Sequence, residues 1–478
     1  MMQEIQLVTF KPIEFAIVIL YIIACIGVGI FASRRALKSE EEYWVAHRFL
    51  GDYAGAFAIF AVVGSASTVM GICGLGYRFG IPFVAATAAS FALQFPLVAY
   101  LTARPLKEHN ICTLGDYFKL RVGGKPVLFI YALLSLLFMG AYIIPQLKAA
   151  GLLGQWLMGF DYKTMVLIIG FTFIVYASIG GMWAITITDI FQGVLMIFGG
   201  LILALVVLIG SGGIGDLMSQ AIAVRPQLAK FGWPVLSIMG LALTWAFWGI
   251  VAPMTVMRVL TMRSKRSTRR SMTLGSVFAF LSVGFTAIIV VLAATSIAGN
   301  NLKQADMAFL IVMQHWFPPI ISGFLVASLF AAIMSSTDSF LLACSASIAR
   351  DIYKGVINPN ATEKQVVRLG FICMWIVGII VVLMAIYPLP LISIMTAMVA
   401  TGLISSFMGP LLMSIYWKGS NRHGVFFGIL GGFIFYFILK QFKLVPFLSE
   451  MLFAVPFSFL VVYVVSILTK GSTAPDNS

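Results

Sequence analysis

The segment AAIMSSTDSFLLACSAS, residues 331–347, places hydroxyl groups and one acid within a stretch that is apolar enough to cross a bilayer. On a helix, Ser335 and Ser339 lie four residues apart and Asp338 follows Ser335 by three, so their oxygen atoms share one surface. Ser336 adds a further hydroxyl beside them. Hard cations take oxygen ligands, and a carboxylate lowers the cost of desolvating the ion. The spacing predicts a cation-binding surface; the alternative is that the hydroxyls bond back to the preceding turn of their own helix.

The composition places this segment in a membrane protein. Only 10% of the 478 residues are charged, against roughly 25% in soluble domains. The mean hydropathy is +1.02, and many apolar runs reach the ~20 residues that span hydrocarbon. The net charge of +14 does not indicate nucleic-acid binding, because Lys and Arg lie mostly in short loops between the apolar runs. We therefore expect an all-α integral membrane protein of the plasma (inner) membrane, with the lipid bilayer as its surroundings and no nucleic-acid partner.

Thirteen apolar segments are predicted to span the membrane. They are 13–33, 53–77, 81–103, 127–156, 163–180, 185–210, 233–257, 271–298, 318–347, 366–387, 389–417, 424–440 and 446–468. Basic residues concentrate in loops on one side of these spans, and the positive-inside rule then predicts an N-terminus outside and a C-terminus in the cytoplasm. We expect a single membrane domain over 1–478 that ends in a disordered tail at 471–478.

Two of the predicted spans look interrupted. The second contains Gly64, and the seventh contains Gly249 and Pro253 near mid-membrane. These spans are five apart, and each opens a set of five spans, over 53–210 and 233–417. Interrupted segments at corresponding positions of two halves are typical of inverted-repeat transporters, whose binding site lies at the breaks.

The break expected at Gly64 has consequences for its neighbours. Unwinding there frees the backbone carbonyls of Ala61 and Gly64, which are oxygen ligands for a cation. Ser67 and Thr68 follow directly. They either contact a bound solute or serve as small residues for close helix packing.

Charged residues are rare inside the predicted spans. Of the acids only Asp189 and Asp338 lie well inside, and of the bases only Lys148. A charge at the bilayer centre costs ~2.5–3.5 kcal/mol on insertion scales, so such residues face a cavity or a partner. A buried ion pair between Lys148 and either acid is one interpretation, and a hydrated position near the cytoplasmic end of its span is another for Asp189. The functional interpretation places the acids at a cation site.

Five further residues are candidates for contact with a small-molecule solute. Gln146 and Lys148 lie in the fourth span and are predicted to contact a carboxylate. Three aromatic residues beside the interruption of the seventh span either line the pocket or pack: Trp245, Phe247 and Trp248. The two buried acids, Lys148 and two Na+ would leave a charge of +1, which a monoanionic solute neutralises, as a dry site prefers.

The chain resembles the sodium:solute symporter family, which includes pantothenate, proline, acetate and sugar symporters. The motifs that carry this resemblance are FAAIMSSTDSFLLACSASIARDIY, IGGMWAITITDIFQG, GSASTVMGICGLGYRFG and the Pro-x4-Arg of PMTVMR. The resemblance covers about residues 10–470. It implies a leucine-transporter-type fold of 13 transmembrane helices, built from inverted five-helix repeats.

The resemblance also implies where cations bind. The principal Na+ site corresponds to three carbonyls and two hydroxyls, those of Ala61, Gly64, Ala332, Ser335 and Ser336. A second Na+ site, found in some members, corresponds to Asp189, Asp338 and Ser339. Asp338 departs from the small hydroxyl residue that the family pattern has at this position.

The residues and the resemblance together predict a Na+-coupled symporter that imports a small organic solute by alternating access and is competent as a monomer. We expect the solute to be a small organic anion, either a short monocarboxylate or a pantothenate-like acid. A zwitterionic amino acid such as proline is the alternative solute. A proton-coupled carrier that titrates Asp338 is the alternative mechanism, and we expect no enzymatic activity.

Overall fold

A computed structural model describes residues 10–36, 39–230, 232–387 and 390–470. Throughout these residues the chain is helical and forms no strand. The helices are α1 (Pro12–Ala36), α2 (Glu40–Val45), α3 (Asp52–Val63), α4 (Ser67–Phe79), α5 (Ile81–Leu106), α6 (Leu114–Arg121), α7 (Lys125–Met158), α8 (Tyr162–Ile179), α9 (Gly181–Gly210), α10 (Ile214–Val224), α11 (Val235–Val251), α12 (Pro253–Thr261), α13 (Lys265–Ala298), α14 (Ala308–Trp316), α15 (Pro319–Ile357), α16 (Glu363–Ala385), α17 (Ile392–Tyr416), α18 (Arg422–Gln441) and α19 (Met451–Leu468). The tail predicted over 471–478 lies outside the described residues.

The expected all-α membrane fold is confirmed. In the described part of the chain, 10 helices are long and apolar enough to cross a membrane, and the bent pairs α3–α4 and α11–α12 raise that number to 12. Helix α8 coincides with the predicted span 163–180, but its apolar part, Tyr162–Ser178, is shorter than the helices counted. Every predicted span thus falls on a helix, while the number of thirteen spans stays a prediction.

Both predicted interruptions are confirmed. Helices α3 and α4 meet at an angle of 63°, and α11 and α12 meet at 49°. At the first break Gly64 is extended, with φ −69° and ψ 104°. At the second break Ala252 is extended, with φ −68° and ψ 118°, because a residue that precedes a proline avoids the helical region. Pro253 then begins α12, where its missing N–H costs no hydrogen bond.

Helix α15, which carries the serine-rich segment, lies at the centre of the fold. In its most apolar window 83% of the residues are buried, against 28% in α1. It packs against α1, α7, α9, α16 and the first half of the broken span, α3. The polar face predicted for this helix therefore points into the protein and not into lipid.

Close packing of α9 against α3 fixes the neighbourhood of the first break. A Cβ atom added at Gly193 of α9 would lie 2.5 Å from the carbonyl oxygen of Phe57 in α3. That distance is too short for any side chain, and a backbone oxygen has little freedom to move. Gly193 is thus the point at which the two helix backbones approach each other.

We expect Gly193→Val to destabilise the protein by about 1–3 kcal/mol, the usual cost of overpacking, because the side chain forces α9 away from α3. Thermal unfolding in detergent measures the effect as a lowered midpoint. Gly27→Val is the matched control, since nothing lies within 4 Å of a Cβ atom added at Gly27 of α1. Equal unfolding midpoints for the two variants would contradict this account of the packing.

Candidate functional site

The serine face of α15 meets the unwound backbone between α3 and α4. The Ser335 hydroxyl donates to the Ala61 carbonyl at 2.9 Å and lies 3.3 Å from the carbonyl of Ala332 in its own helix. The Ser336 hydroxyl lies 3.4 Å from the Gly64 carbonyl. These two hydroxyls are fully buried. The five groups predicted for the principal cation site are therefore brought together in one place.

Local hydrogen bonds explain why the backbone carbonyls of Ala61 and Val62, just before the break, are accessible. In an unbroken helix the N–H of Ser65 would donate to Ala61 and that of Ala66 to Val62. Instead the N–H of Ser65 donates to Thr68 Oγ1 at 2.6 Å, and that of Ala66 donates to Gln146 Oε1 at 3.0 Å. Two side chains thus replace the helical acceptors and leave the backbone oxygens free to face α15.

The predicted second cation site contains a base that sequence reasoning missed. Arg258 of α12 is 1% exposed and forms an ion pair with Asp189 of α9 through a close contact between Nη2 and Oδ2. The same nitrogen lies 3.4 Å from the Ser339 hydroxyl. Neither carboxylate oxygen of Asp338 forms a hydrogen bond of normal geometry among the described residues, although the Tyr176 hydroxyl and the Ser339 N–H lie nearby. Arg258 and Asp189 lie near enough to act on its charge.

The predicted span 233–257 ends one residue before Arg258 and so leaves this base in the following loop. That placement is wrong, because the residue lies inside the protein on the second half of the broken span. Local composition alone assigns a charged residue at the end of an apolar run to a loop. The Pro-x4-Arg spacing that links Pro253 to Arg258 was the signal available in the sequence.

The ion pair considered between Lys148 and Asp189 or Asp338 is also wrong. The Lys148 ammonium pairs with Asp306 at 2.6 Å and donates to the carbonyl of Pro390 at 2.7 Å. Asp306 in turn accepts from the N–H of Ile392, at the start of α17, at 3.4 Å. Burial raises the pKa of the Asp306 carboxyl, and the nearby Lys148 ammonium opposes that shift. Lys148 therefore joins α7 to the segment before α14.

The remaining predicted contact residues fall into two groups. Trp248 stacks on Tyr142 of α7, with ring centroids 5.1 Å apart, and Tyr142 stacks on Phe340 of α15 at 4.4 Å. Trp245 stacks instead on Phe91, at 5.1 Å. Phe247 is half-buried and stacks on none of the described rings.

The polar contact residues meet beside Tyr142. The Ser67 hydroxyl forms a hydrogen bond of 2.5 Å with the Thr396 hydroxyl of α17, and the Tyr142 hydroxyl lies beside both. Gln146 follows Tyr142 by one turn of α7, on the same face. Thr68 lies one turn beyond the break. Its hydroxyl accepts from the N–H of Ser65 and donates to the Ser65 carbonyl.

Sequence reasoning also missed a buried amide near the second break. Gln94 of α5 is 1% exposed, and neither of its amide atoms has a partner in the described part of the chain. Its Cγ atom lies 3.0 Å from the position of a Cβ atom added at Gly249. A glutamine inside an otherwise apolar span was the signal that could have found it.

Two broken membrane helices that face a central polar helix define a membrane transport protein. A model of the sodium:solute symporter family matches residues 43–432, and the chain belongs to that family. The resemblance read from the motifs is thereby confirmed.

Similar proteins agree with that assignment. The sodium/proline symporters of Staphylococcus aureus strains JH9 and USA300 are each 26% identical to this chain, and each match covers 95% of the chain and 93% of the relative. Two solved structures share the fold. A Na+-coupled sialic acid symporter in a substrate-bound, outward-open state gives a TM-score of 0.81 at 21% identity, over 95% of this chain and 97% of its own. Mhp1, a nucleobase-cation-symport-1 family transporter with bromovinylhydantoin bound, gives 0.58 at 13% identity, over 89% and 95%. The fold is the leucine-transporter type expected from the resemblance.

Loss of Arg258 is expected to destabilise the chain by about 3–5 kcal/mol, because Arg258→Met leaves buried Asp189 without its counter-charge. The double variant Asp189→Asn with Arg258→Met removes both charges and should recover a large part of that loss. Thermal unfolding of the purified protein measures each step.

The control is Arg263→Met. The Arg263 side chain is 62% exposed and lies 3.5 Å from Asp52. Its replacement by Met should therefore lower the free energy of unfolding by at most about 1 kcal/mol. A double variant that is as unstable as Arg258→Met alone would show that the pair is not the source of the effect.

Proposed function

We propose that the chain is a secondary active symporter that couples uptake of a small organic solute to Na+. The principal Na+ ligands are three carbonyls and two hydroxyls, those of Ala61, Gly64, Ala332, Ser335 and Ser336. The observation that carries the proposal is the approach of the two serine hydroxyls to the carbonyls of the broken helix, at 2.9 and 3.4 Å. A bound Na+ takes lone pairs of these oxygens and joins α3 to α15.

Alternating access supplies the cycle. Na+ binds from outside, favours the conformation that accepts solute, and is released into a cytoplasm of low Na+ concentration. At −100 mV each net charge that moves inward contributes ~2.3 kcal/mol. The inverted repeats over 53–210 and 233–417 belong to this proposal, and the break that opens each repeat supports them. The outside N-terminus also belongs to it and is supported by the basic loops.

A second cation site at Asp189, Asp338 and Ser339 remains part of the proposal. Arg258 already neutralises Asp189, and Lys148 neutralises Asp306, so Asp338, when ionised, supplies the one unbalanced charge among these five groups. One Na+ would make the set neutral. A second Na+ would add a positive charge, which a monoanionic solute would offset.

We therefore propose a small monocarboxylate or related organic anion as the solute. Its contacts would be Ser67, Thr68, Gln146 and the aromatic residues Trp245, Phe247 and Trp248. Gln146 supports this choice most directly, because its Nε2 is a buried donor without a partner among the described residues. The proposal does not include a contact between Lys148 and the solute carboxylate, since two acceptors already engage the Lys148 ammonium group.

A zwitterionic amino acid of the proline type is the second candidate. The names of the Staphylococcus aureus relatives favour it. It also fits the charge balance, because one Na+ already neutralises the buried groups and a zwitterion adds no net charge.

Ser335→Ala and Ser336→Ala should each raise the Na+ concentration for half-maximal uptake about tenfold, the change expected when an ion contact worth ~1.4 kcal/mol is lost. Uptake by proteoliposomes across a range of Na+ concentrations measures it. Thr337→Val is the matched control, because the Thr337 hydroxyl donates to Ile333 of its own helix at 2.7 Å. Unchanged Na+ dependence in both serine variants would rule out this site.

The solute is to be identified by offering proteoliposomes a mixed pool of monocarboxylates and amino acids and reading uptake by mass spectrometry. We expect accumulation under an inward Na+ gradient and none under a matched K+ gradient. Parallel 22Na+ uptake then gives the ion count: two Na+ per solute accompany a monoanion and one accompanies a zwitterion. Accumulation under both gradients that collapses with the proton gradient would replace Na+ coupling by proton coupling.

A further inference from the structure

Gln146 contacts the break with one end of its amide group and leaves the other end without a partner in the described residues. Its Oε1 accepts a hydrogen bond from the N–H of Ala66 at 3.0 Å. The side chain is fully buried, and its Nε2 has no hydrogen-bond partner within the described residues. The oxygen therefore has a structural partner, while the NH2 group remains available to a ligand.

The oxygen end acts on the cation site through the backbone. Because the N–H of Ala66 donates to Gln146, it cannot donate to the Val62 carbonyl and the helix stays unwound at Gly64. The Ser336 hydroxyl faces the opened backbone, 3.5 Å from the Val62 carbonyl and 3.4 Å from that of Gly64. Gln146 is thus a positioning residue for the proposed Na+ site and not one of its ligands.

The nitrogen end belongs to the solute region. Gln146 lies one turn after Tyr142 on the same face of α7, and Tyr142 stacks between Trp248 and Phe340. A buried donor without a partner costs about 1–3 kcal/mol. A carboxylate oxygen of the solute removes that cost when it accepts from Nε2.

We propose that Gln146 is the residue that couples solute binding to Na+ binding, an inference that rests on the proposed function. A carboxylate that accepts from Nε2 fixes the amide with Oε1 toward Ala66. The same orientation keeps the helix unwound at Gly64, where Na+ is proposed to bind. Each ligand thus favours the amide orientation that the other requires, and by linkage each raises the affinity for the other by the same factor.

Two substitutions separate the two ends of the amide. Gln146→Glu keeps an oxygen acceptor for Ala66 and loses the NH2 donor, whereas Gln146→Met loses both. Na+ affinity is measured on the purified full chain by thermal shift, without solute and then with acetate or L-proline as separate probes. In the unsubstituted chain the effective probe should raise the Na+ affinity about 5–150-fold, the range typical of coupled sites.

We expect Gln146→Glu to keep its Na+ affinity without a probe and to lose the increase that the probe causes. Gln146→Met should bind Na+ at least about fivefold more weakly and show no increase. Gln94→Met serves as the matched control for Na+ affinity, because its equally buried amide lies against Gly249 and away from the first break.

The outcomes separate this inference from the function on which it rests. An unsubstituted chain that shows no effect of Na+ would overturn the proposed function and the coupling role with it. A full increase in Na+ affinity that survives in both Gln146 variants would overturn the coupling role alone. Weakened Na+ binding in Gln94→Met equal to that in Gln146→Met would also overturn it, because any buried amide would then suffice.

Discussion

The unwound backbone at Gly64 is the constraint on which the rest of the site depends. Inside a membrane protein, a carbonyl released from its helix must be satisfied by other protein groups or face a polar cavity. Here α15 supplies the hydroxyls of Ser335 and Ser336, and these lie close enough to replace the lost donors. Among the ten unbroken spans of the described residues, the one with the most buried apolar window is therefore polar because the helix beside it is broken.

Each broken span is bent in the middle and anchored beyond the break. Arg258 lies on α12, the second half of one span, and its ion pair with Asp189 ties that half to α9. On the other span, Gly74 of α4 lies so close to Asp306 that an added Cβ atom would be 2.8 Å from a carboxylate oxygen. Asp306 is itself held by Lys148. The first anchor is therefore a buried ion pair, and the second is close packing against an acid that is itself held by an ion pair.

The sequence allowed prediction of what depends on near neighbours. The serine face follows from spacing within one helix, and the breaks follow from the backbone preferences of Gly64 and of the residue before Pro253. Partners distant along the chain escaped prediction, because no local pattern indicates them. Arg258 meets a residue 69 positions away and Lys148 one that is 158 positions away. The contact of Gln146 with a carboxylate stays a prediction, and its hydrogen bond to Ala66, 80 positions away, could not be read from spacing.

The pairing of the buried bases bears on the order in which ligands bind. If Lys148 had no partner, it could attract an anion by itself, and the anion could then cross the membrane without a coupled Na+. Since Lys148 and Arg258 are each neutralised, Asp338 is the acid of this set that has no ion-pair partner, and it would repel an anion whenever it is ionised. The neutral donor of Gln146 would orient a carboxylate, as proposed above, but would not offset that repulsion. For the proposed transport of an anion, entry of Na+ would therefore come first, and coupling would follow from the electrostatics of the site.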